Sequence, residues 1–189
     1  MKILLITDTH GLIPQKTENV ELILHAGDIS FFEEDLGKIL KKWDTLNIPI
    51  FLIHGNHESE EAIEFYIKKL KNIQFIHNKI IIFKNIIIAG IGGGGFSYSN
   101  PDTKSIEIEM KRLKIKKLDI FITHAPPYGT NLDLLENEHV GNIEFRRFIE
   151  KYQPKICVCG HLHENFGKMD EIGTSKLVNP GFEGAIIEI

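Results

Sequence analysis

Residues 1–10, Met1-Lys2-Ile3-Leu4-Leu5-Ile6-Thr7-Asp8-Thr9-His10, run from an apolar core straight into a polar cluster. The apolar part is too short for a signal-peptide core, because Asp8 ends it and no small-residue cleavage site follows. It therefore reads as a first buried strand, and the expected location is cytoplasmic. The same pattern recurs along the chain. Strands are expected over Lys2–Thr7, Glu21–His25, Ile48–His54, Ile86–Gly90, Leu118–His124 and Lys155–Cys159. Several are Ile-rich on both faces, as in strands sandwiched between other layers. Most of them end in a polar group: Asp8-Thr9-His10, Gly27-Asp28, Gly55-Asn56-His57, His124 and Gly160-His161-Leu162-His163. In α/β sheets ligands bind beyond the carboxyl ends of strands, so these clusters can converge on one crevice.

Between the strands, Phe32–Leu46, Ser59–Leu70, Pro101–Lys114 and Asn142–Tyr152 read as amphipathic helices. Ser59 marks an N-terminus for the second, and Pro101 suits the first turn of the third. Gln74–Ile82 reads as a strand pair that starts a run of sheet. The tail from Phe166 to Ile189 reads as short strands with turns at Asn179-Pro180-Gly181 and Glu183-Gly184. The 189 residues fit one domain spanning 1–189, of α/β class and more β-rich in its second half.

Hydrophobic residues at 42% and charged residues at 25% are ordinary for a soluble globular protein. No apolar run approaches the ~18 residues that span a bilayer, so no membrane association is expected. A net charge of -4 leaves no global basic field for nucleic acid, which is expected only as a nucleotide-type substrate. The basic stretch Lys111–Lys117 reads as a solvated helix face and its last turn, or else as a phosphate patch. Cys157 and Cys159 alternate onto one strand face, as buried thiols in a reducing compartment or a redox or metal pair. Oligomeric state is not legible.

The chemistry lies in the strand-end clusters. Asp8 and His10, two apart on an extended backbone, point the same way and can share a cation; His161 and His163 repeat the spacing. Gly27 permits a tight turn that brings Asp28 close, and a carboxylate can bridge two ions. Asn56 and His57 are adjacent, so their side chains diverge: Asn56 can ligate through its amide oxygen while His57 faces a substrate. His124 adds a nitrogen. His25 and His54, each three residues before a site residue, read either as supports behind the ligands or as packed strand histidines. Gly92-Gly93-Gly94-Gly95 lacks the Gly-Lys-Ser/Thr of a nucleotide loop and reads as a turn, or as a border of the substrate site. Ala125–Gly141 lacks periodicity, which makes it either a functional loop or a plain surface one. Tyr128, Asn131 and His139 are its candidates for substrate contact.

Asp8-x-His10, Gly27-Asp28, Gly55-Asn56-His57-Glu58, His124 and Gly160-His161-x-His163 together resemble the five blocks of the calcineurin-like metallophosphoesterases, in their small single-domain, phosphodiesterase-like branch. All five are intact. The resemblance implies a four-layer α/β/β/α sandwich with two mixed β-sheets and two divalent metal ions. Asp8, His10, Asp28 and His163 would hold one ion, and Asp28, Asn56, His124 and His161 the other. Oxygen and nitrogen donors without thiolate suit Mn, Fe, Zn or Ni and do not choose among them; manganese is the expected ion. The implied reaction is in-line attack on phosphorus by a hydroxide bridging the ions, with His57 stabilising the transition state and protonating the leaving alkoxide.

The protein serine/threonine phosphatases of this superfamily carry arginines beside the second and third blocks. Here those places hold Ile29-Ser30-Phe31-Phe32 and His54, and the only arginines are Arg112, Arg146 and Arg147. Without an arginine fork a monoanionic diester is favoured over a dianionic monoester, so a small phosphodiester is the expected substrate. The alternatives are a phosphomonoesterase, or a non-catalytic metal-binding scaffold like a retromer subunit. A DNA-repair nuclease subunit of the same fold would need extra DNA-binding segments and a basic surface.

Overall fold

Strand β1 (Lys2–Ile6) shows how the layers arise. Its residues alternate between two separate cores. Ile3 and Leu5 face one cluster, and Leu4 and Ile6 face another. The computed structural model describes residues 1–94, 101 and 103–189. The remaining strands are β2 (Leu22–His25), β3 (Ile50–Leu52), β4 (Ile73–Phe75), β5 (Lys79–Phe83), β6 (Ile86–Ile91), β7 (Ile120–Thr123), β8 (Leu134–Leu135), β9 (Glu138–His139), β10 (Ile156–Val158), β11 (Met169–Ile172), β12 (Ser175–Val178) and β13 (Ala185–Glu188). The helices are α1 (Leu36–Asp44), α2 (Glu60–Ile67), α3 (Lys104–Leu113) and α4 (Ile143–Tyr152).

One sheet has the order β13-β1-β2-β3-β4, and a second has β11-β12-β10-β7-β6-β5. Both are mixed. In the first only β13 is antiparallel to its neighbour; in the second the outer pairs β11–β12 and β5–β6 are antiparallel. Three apolar clusters separate four layers. Leu36, Leu40, Trp43 and Ile63 of α1 and α2 pack on Leu4, Ile6 and Ile23. Ile3, Leu5, Phe51, Ile88, Ile122 and Val158 fill the space between the sheets. Phe121, Ala89 and Cys157 meet Ile106, Met110, Phe145 and Phe148 of α3 and α4 on the far side. Cys157 and Cys159 are buried free thiols in that last core. Among the described residues, no helix is long and apolar enough to cross a membrane.

Three expectations need correction. Gln74–Ile82 is not a strand pair: β4 pairs in parallel with β3, while β5 pairs antiparallel with β6 in the other sheet. The segment is the crossing between sheets, made at the polar His77-Asn78 between β4 and β5. The first helix starts at Leu36 rather than Phe32, because Phe32, Glu33 and Asp35 all have left-handed backbone. The third starts at Lys104 rather than Pro101, and that expected range includes residue 102, outside the described residues. Ser59 does cap α2, its hydroxyl accepting from the Ala62 N–H at 3.3 Å. The lysines of 111–117 are solvent-exposed around the end of α3.

Candidate metal centre

Within each sheet β1, β2 and β3, and β7 and β10, run parallel, so their carboxyl ends fall on common edges. The loops that leave those ends are tied to one another by backbone. Asp8 N–H donates to Gly27 O at 2.9 Å, His10 N–H to Asp28 O at 3.2 Å, and Gly160 N–H to His124 O at 2.9 Å. The loops fit only because glycines stand where they touch. Gly27 has φ +95°, and a Cβ there would come within 2.8 Å of the Gly55 backbone and His124. A Cβ on Gly55 would overlap the Asp28 carboxylate.

Two groups of donors result. His163 Nε2 lies 3.4 Å from both Asp8 Oδ1 and His10 Nε2. Asn56 Oδ1 lies 3.0 Å from His124 Nε2 and 2.9 Å from His161 Nδ1, and His124 Nε2 is 3.3 Å from Asp28 Oδ2. Asp8, Asp28 and His124 offer donor atoms all within 4.8 Å of one another, so the two groups adjoin. The extended backbone expected at Asp8 and His10 needs correction. Neither is extended; Asp8, His10, Asp28 and His161 all have positive φ, from 44° to 72°. His161 and His163 also part company, because His163 opens a 3₁₀ turn (His163–Asn165) and swings to the other group.

Hydrogen bonds behind the rings aim their lone pairs. His10 Nδ1 lies 3.1 Å from Ser30 O, and His124 Nδ1 lies 2.8 Å from Ala26 O. A carbonyl only accepts, so each Nδ1 carries hydrogen and the Nε2 lone pair of the neutral ring faces the other donors. With that ring neutral, Asn56 Oδ1, Asp28 Oδ2 and His124 Nε2 are three electron-pair donors aimed at one another, an arrangement that fits a cation. Without one, burial disfavours charge on His124, but the Asp28 and Asp8 carboxylates outweigh it and lift its pKa to about 9. Burial would raise the Asp28 carboxyl, yet His124 beside it holds it well below the usual carboxylate range.

His57 diverges from Asn56, as adjacent residues should. Its N–H donates to Asp28 Oδ1 at 3.1 Å, and its Nε2 is 3.7 Å from Asp28 Oδ2. The Phe32 N–H points at its Nδ1 from 3.4 Å, which leaves the proton on Nε2. Burial, first, lowers the pKa of this ring. A cleft of about 250 Å³ opens over the centre, lined by Asp28, Asn56, His57, His161 and His163 with Leu135, Leu162 and Glu164.

The long loop is more ordered than its sequence suggests. Buried Asp133 accepts from the Gly129, Thr130 and Gly141 N–H groups at 2.7–3.0 Å and contacts His139 Nδ1 at 2.8 Å, holding the hairpin β8–β9. Among the described residues of this loop, Leu135 alone lines the cleft. Tyr128 and His139 are exposed with rings 5.7 Å apart, and exposed Asn131 donates its backbone N–H to Asp170 at 2.6 Å.

His25 is both packed and supporting. Fully buried on Trp43, it accepts from the Gly27 N–H at 3.1 Å through Nδ1, so Nε2 donates to Thr9 at 3.0 Å and joins the first two loops. His54 plays no such part: its Nδ1 is buried without a hydrogen-bond partner among the described residues, beside His77 and Glu60. There His77 Nδ1 accepts from Gly92 N–H, and its Nε2 lies 3.1 Å from Glu60 Oε1 and 2.6 Å from Asn78 Nδ2. Gly92–Gly94 border that recess rather than the cleft, and Gly95 lies outside the described residues. Sequence reasoning gave no role to Glu58, which accepts from Ser30 N–H, Ser30 Oγ and Gly55 N–H and so locks the second loop to the third. Its place directly after Gly55-Asn56-His57 was the available signal.

A double-sheet α/β sandwich with Asp, Asn and His donors converging at the strand ends is the architecture of metal-dependent phosphoester hydrolases. A model of the calcineurin-like phosphoesterase family matches residues 1–165, and the chain belongs to that family. It is 32% identical to the uncharacterized protein MJ1162 of Methanocaldococcus jannaschii, over 95% of this chain and 88% of that one. It is 29% identical to human metallophosphoesterase domain-containing protein 1, covering 92% of this chain but only 64% of that protein. The crystal structure of TT1561 of Thermus thermophilus superposes with a TM-score of 0.69 at 16% identity, over 95% of this chain and 88% of that one.

Proposed function

We propose that the protein is a two-metal phosphodiesterase acting on a small phosphate ester, with manganese as the preferred ion. The observation that carries this reading is the adjacency of the two donor groups across Asp28, with the His57 Nε2 facing the same cleft. Asp8, His10, Asp28 and His163 would hold one ion, and Asp28, Asn56, His124 and His161 the second. When bound, the ions supply Lewis-acid charge for the phosphoryl oxygens and activate water as the nucleophile. His57, with its proton on Nε2, would stabilise the charge developing on the leaving oxygen by a hydrogen bond and, as the imidazolium, would protonate it and return to the neutral ring. Asp28 orients it through the bond to its backbone N–H.

The diester preference is supported by what lines the cleft. Among the described residues there, none is a lysine or arginine, and Glu164 adds a carboxylate. A second negative charge on phosphorus would therefore meet no side-chain cation from that lining and one repelling group. Tyr128, Asn131 and His139 are proposed to contact parts of a substrate that extend past Leu135.

The test is metal analysis with hydrolysis of bis-(p-nitrophenyl) phosphate and p-nitrophenyl phosphate in Mn²⁺. Two ions per chain and faster diester turnover are expected. A metal-loaded protein inert to both would favour a binding scaffold. His57→Ala should retain metal and lose roughly 10²–10⁴-fold in turnover; full turnover in that variant overturns the assignment.

A further inference from the structure

Phe31 and Phe32, in the loop that follows Asp28, are 55% and 69% exposed. Two neighbouring phenyl rings in water gain nothing for the fold, yet the loop that carries them is clamped at both ends. Ser30 is bonded to buried Glu58 through its N–H and hydroxyl. The Glu33 carboxylate accepts from Ser59 N–H at 2.8 Å and Ser59 Oγ at 2.6 Å. Phe32 and Glu33 are held at φ +48° and +65°, a backbone that bulky residues adopt only where their surroundings impose it. The exposure is thus built in rather than slack.

The rings stand beside the reacting groups. Phe32 packs on His57 with centroids 4.3 Å apart, and Phe31 lies 5.0 Å from His57 and 5.8 Å from His10. Phe31 and Phe32 meet edge to face at 4.9 Å and 83°. Because His57 lines the cleft, an unbroken aromatic surface leads from the metal centre to solvent. The group attached to the leaving oxygen must pass His57, which protonates that oxygen, and so reaches this surface next.

We infer that Phe31 and Phe32 form a subsite for a planar aromatic group, aryl or nucleobase, on the leaving side of the phosphodiester. This rests on the phosphodiesterase reading above. Stacked or edge-on aromatic contact favours such a group over a saturated one of equal size. Sugar or charged leaving groups would lack that gain.

The experiment compares kcat/KM for benzyl methyl phosphate and cyclohexylmethyl methyl phosphate, with the released alcohols identified, on the manganese-loaded protein. The pair matches size and differs in the π face, and the Phe variants control for the slightly better benzyl leaving group. A second pair, thymidine 5′-(methyl phosphate) and its baseless analogue, separates nucleobase from simple aryl recognition. We expect the wild type to favour the aromatic member of at least one pair by about fivefold. Phe31→Leu and Phe32→Leu should bring that ratio towards one. Phe32→Leu keeps the backbone N–H that faces His57, and metal content checks that each variant has folded. Esters hydrolysed with no aromatic preference, or with a ratio unchanged in both variants, overturn the subsite while leaving the phosphodiesterase reading intact. A wild-type dimer in sedimentation that Phe32→Leu dissociates, without change in the ratio, assigns the rings to self-association and also overturns it. If no ester is cleaved, the phosphodiesterase reading fails and the subsite fails with it.

Discussion

Four of the seven proposed ligands, Asp8, His10, Asp28 and His161, sit in left-handed backbone that costs of order 1 kcal/mol or more for each non-glycine residue. That strain is held by specific bonds. Asp8 accepts from Thr7 Oγ1 and the His161 N–H, and Asp28 accepts from the His57 N–H. Gly55 is equally constrained, because any Cβ would occupy the space of the Asp28 carboxylate. Gly55→Ala should bind fewer than two ions and lose roughly 1–3 kcal/mol of stability; metal analysis and denaturant unfolding of the same preparation check both. His25 makes a pH prediction. Burial lowers its pKa from 6.5 to about 3, so the unfolded chain binds one more proton between those values. The stability contributed by the neutral ring is full above pH 6.5 and is lost as pH falls towards 3, at about 1.4 kcal/mol per unit. Unfolding free energies measured between about pH 6 and pH 4 should therefore fall more steeply in wild type than in His25→Gln. Equal slopes would contradict it.

Among the elements, short parallel strands do the positioning and their following loops carry the chemistry. β3 and β10 have three residues each, yet the loops after them supply Asn56, His57, His161 and His163. The hairpin β8–β9 shows the same economy, since one buried carboxylate organises it. Asp133→Ala would leave three backbone N–H groups without their acceptor and should destabilise the protein by roughly 3 kcal/mol. Amide exchange should accelerate over residues 129–141 while β7 and β10 stay protected. Element types were largely readable, because apolar runs of strand length alternate with helical periodicity. Their partners were not. Periodicity says which face of Gln74–Ile82 is apolar, but β4 and β5 join different sheets, and pairing depends on distant strands.

At the scale of the whole molecule, the core between the second sheet and α3 and α4 buries the two thiols, and burial pushes both well above their ordinary pKa. Native protein at neutral pH should react with a thiol reagent at neither cysteine, and denatured protein at both. Reaction of the native form faster than global unfolding would count against it. By itself the sequence determined the α/β class and the strand-end placement of the polar clusters. These follow from local patterning and from residue chemistry. The tertiary structure sets His163 beside His10 and His161 beside Asn56, a division that the family resemblance implied but that equal spacing alone did not give. It also set the left-handed turns at Asp8 and His10, the lock formed by Glu58, and the rigid exposure of Phe31 and Phe32. Each of these depends on contacts between loops far apart in the chain, which no periodicity within one segment encodes.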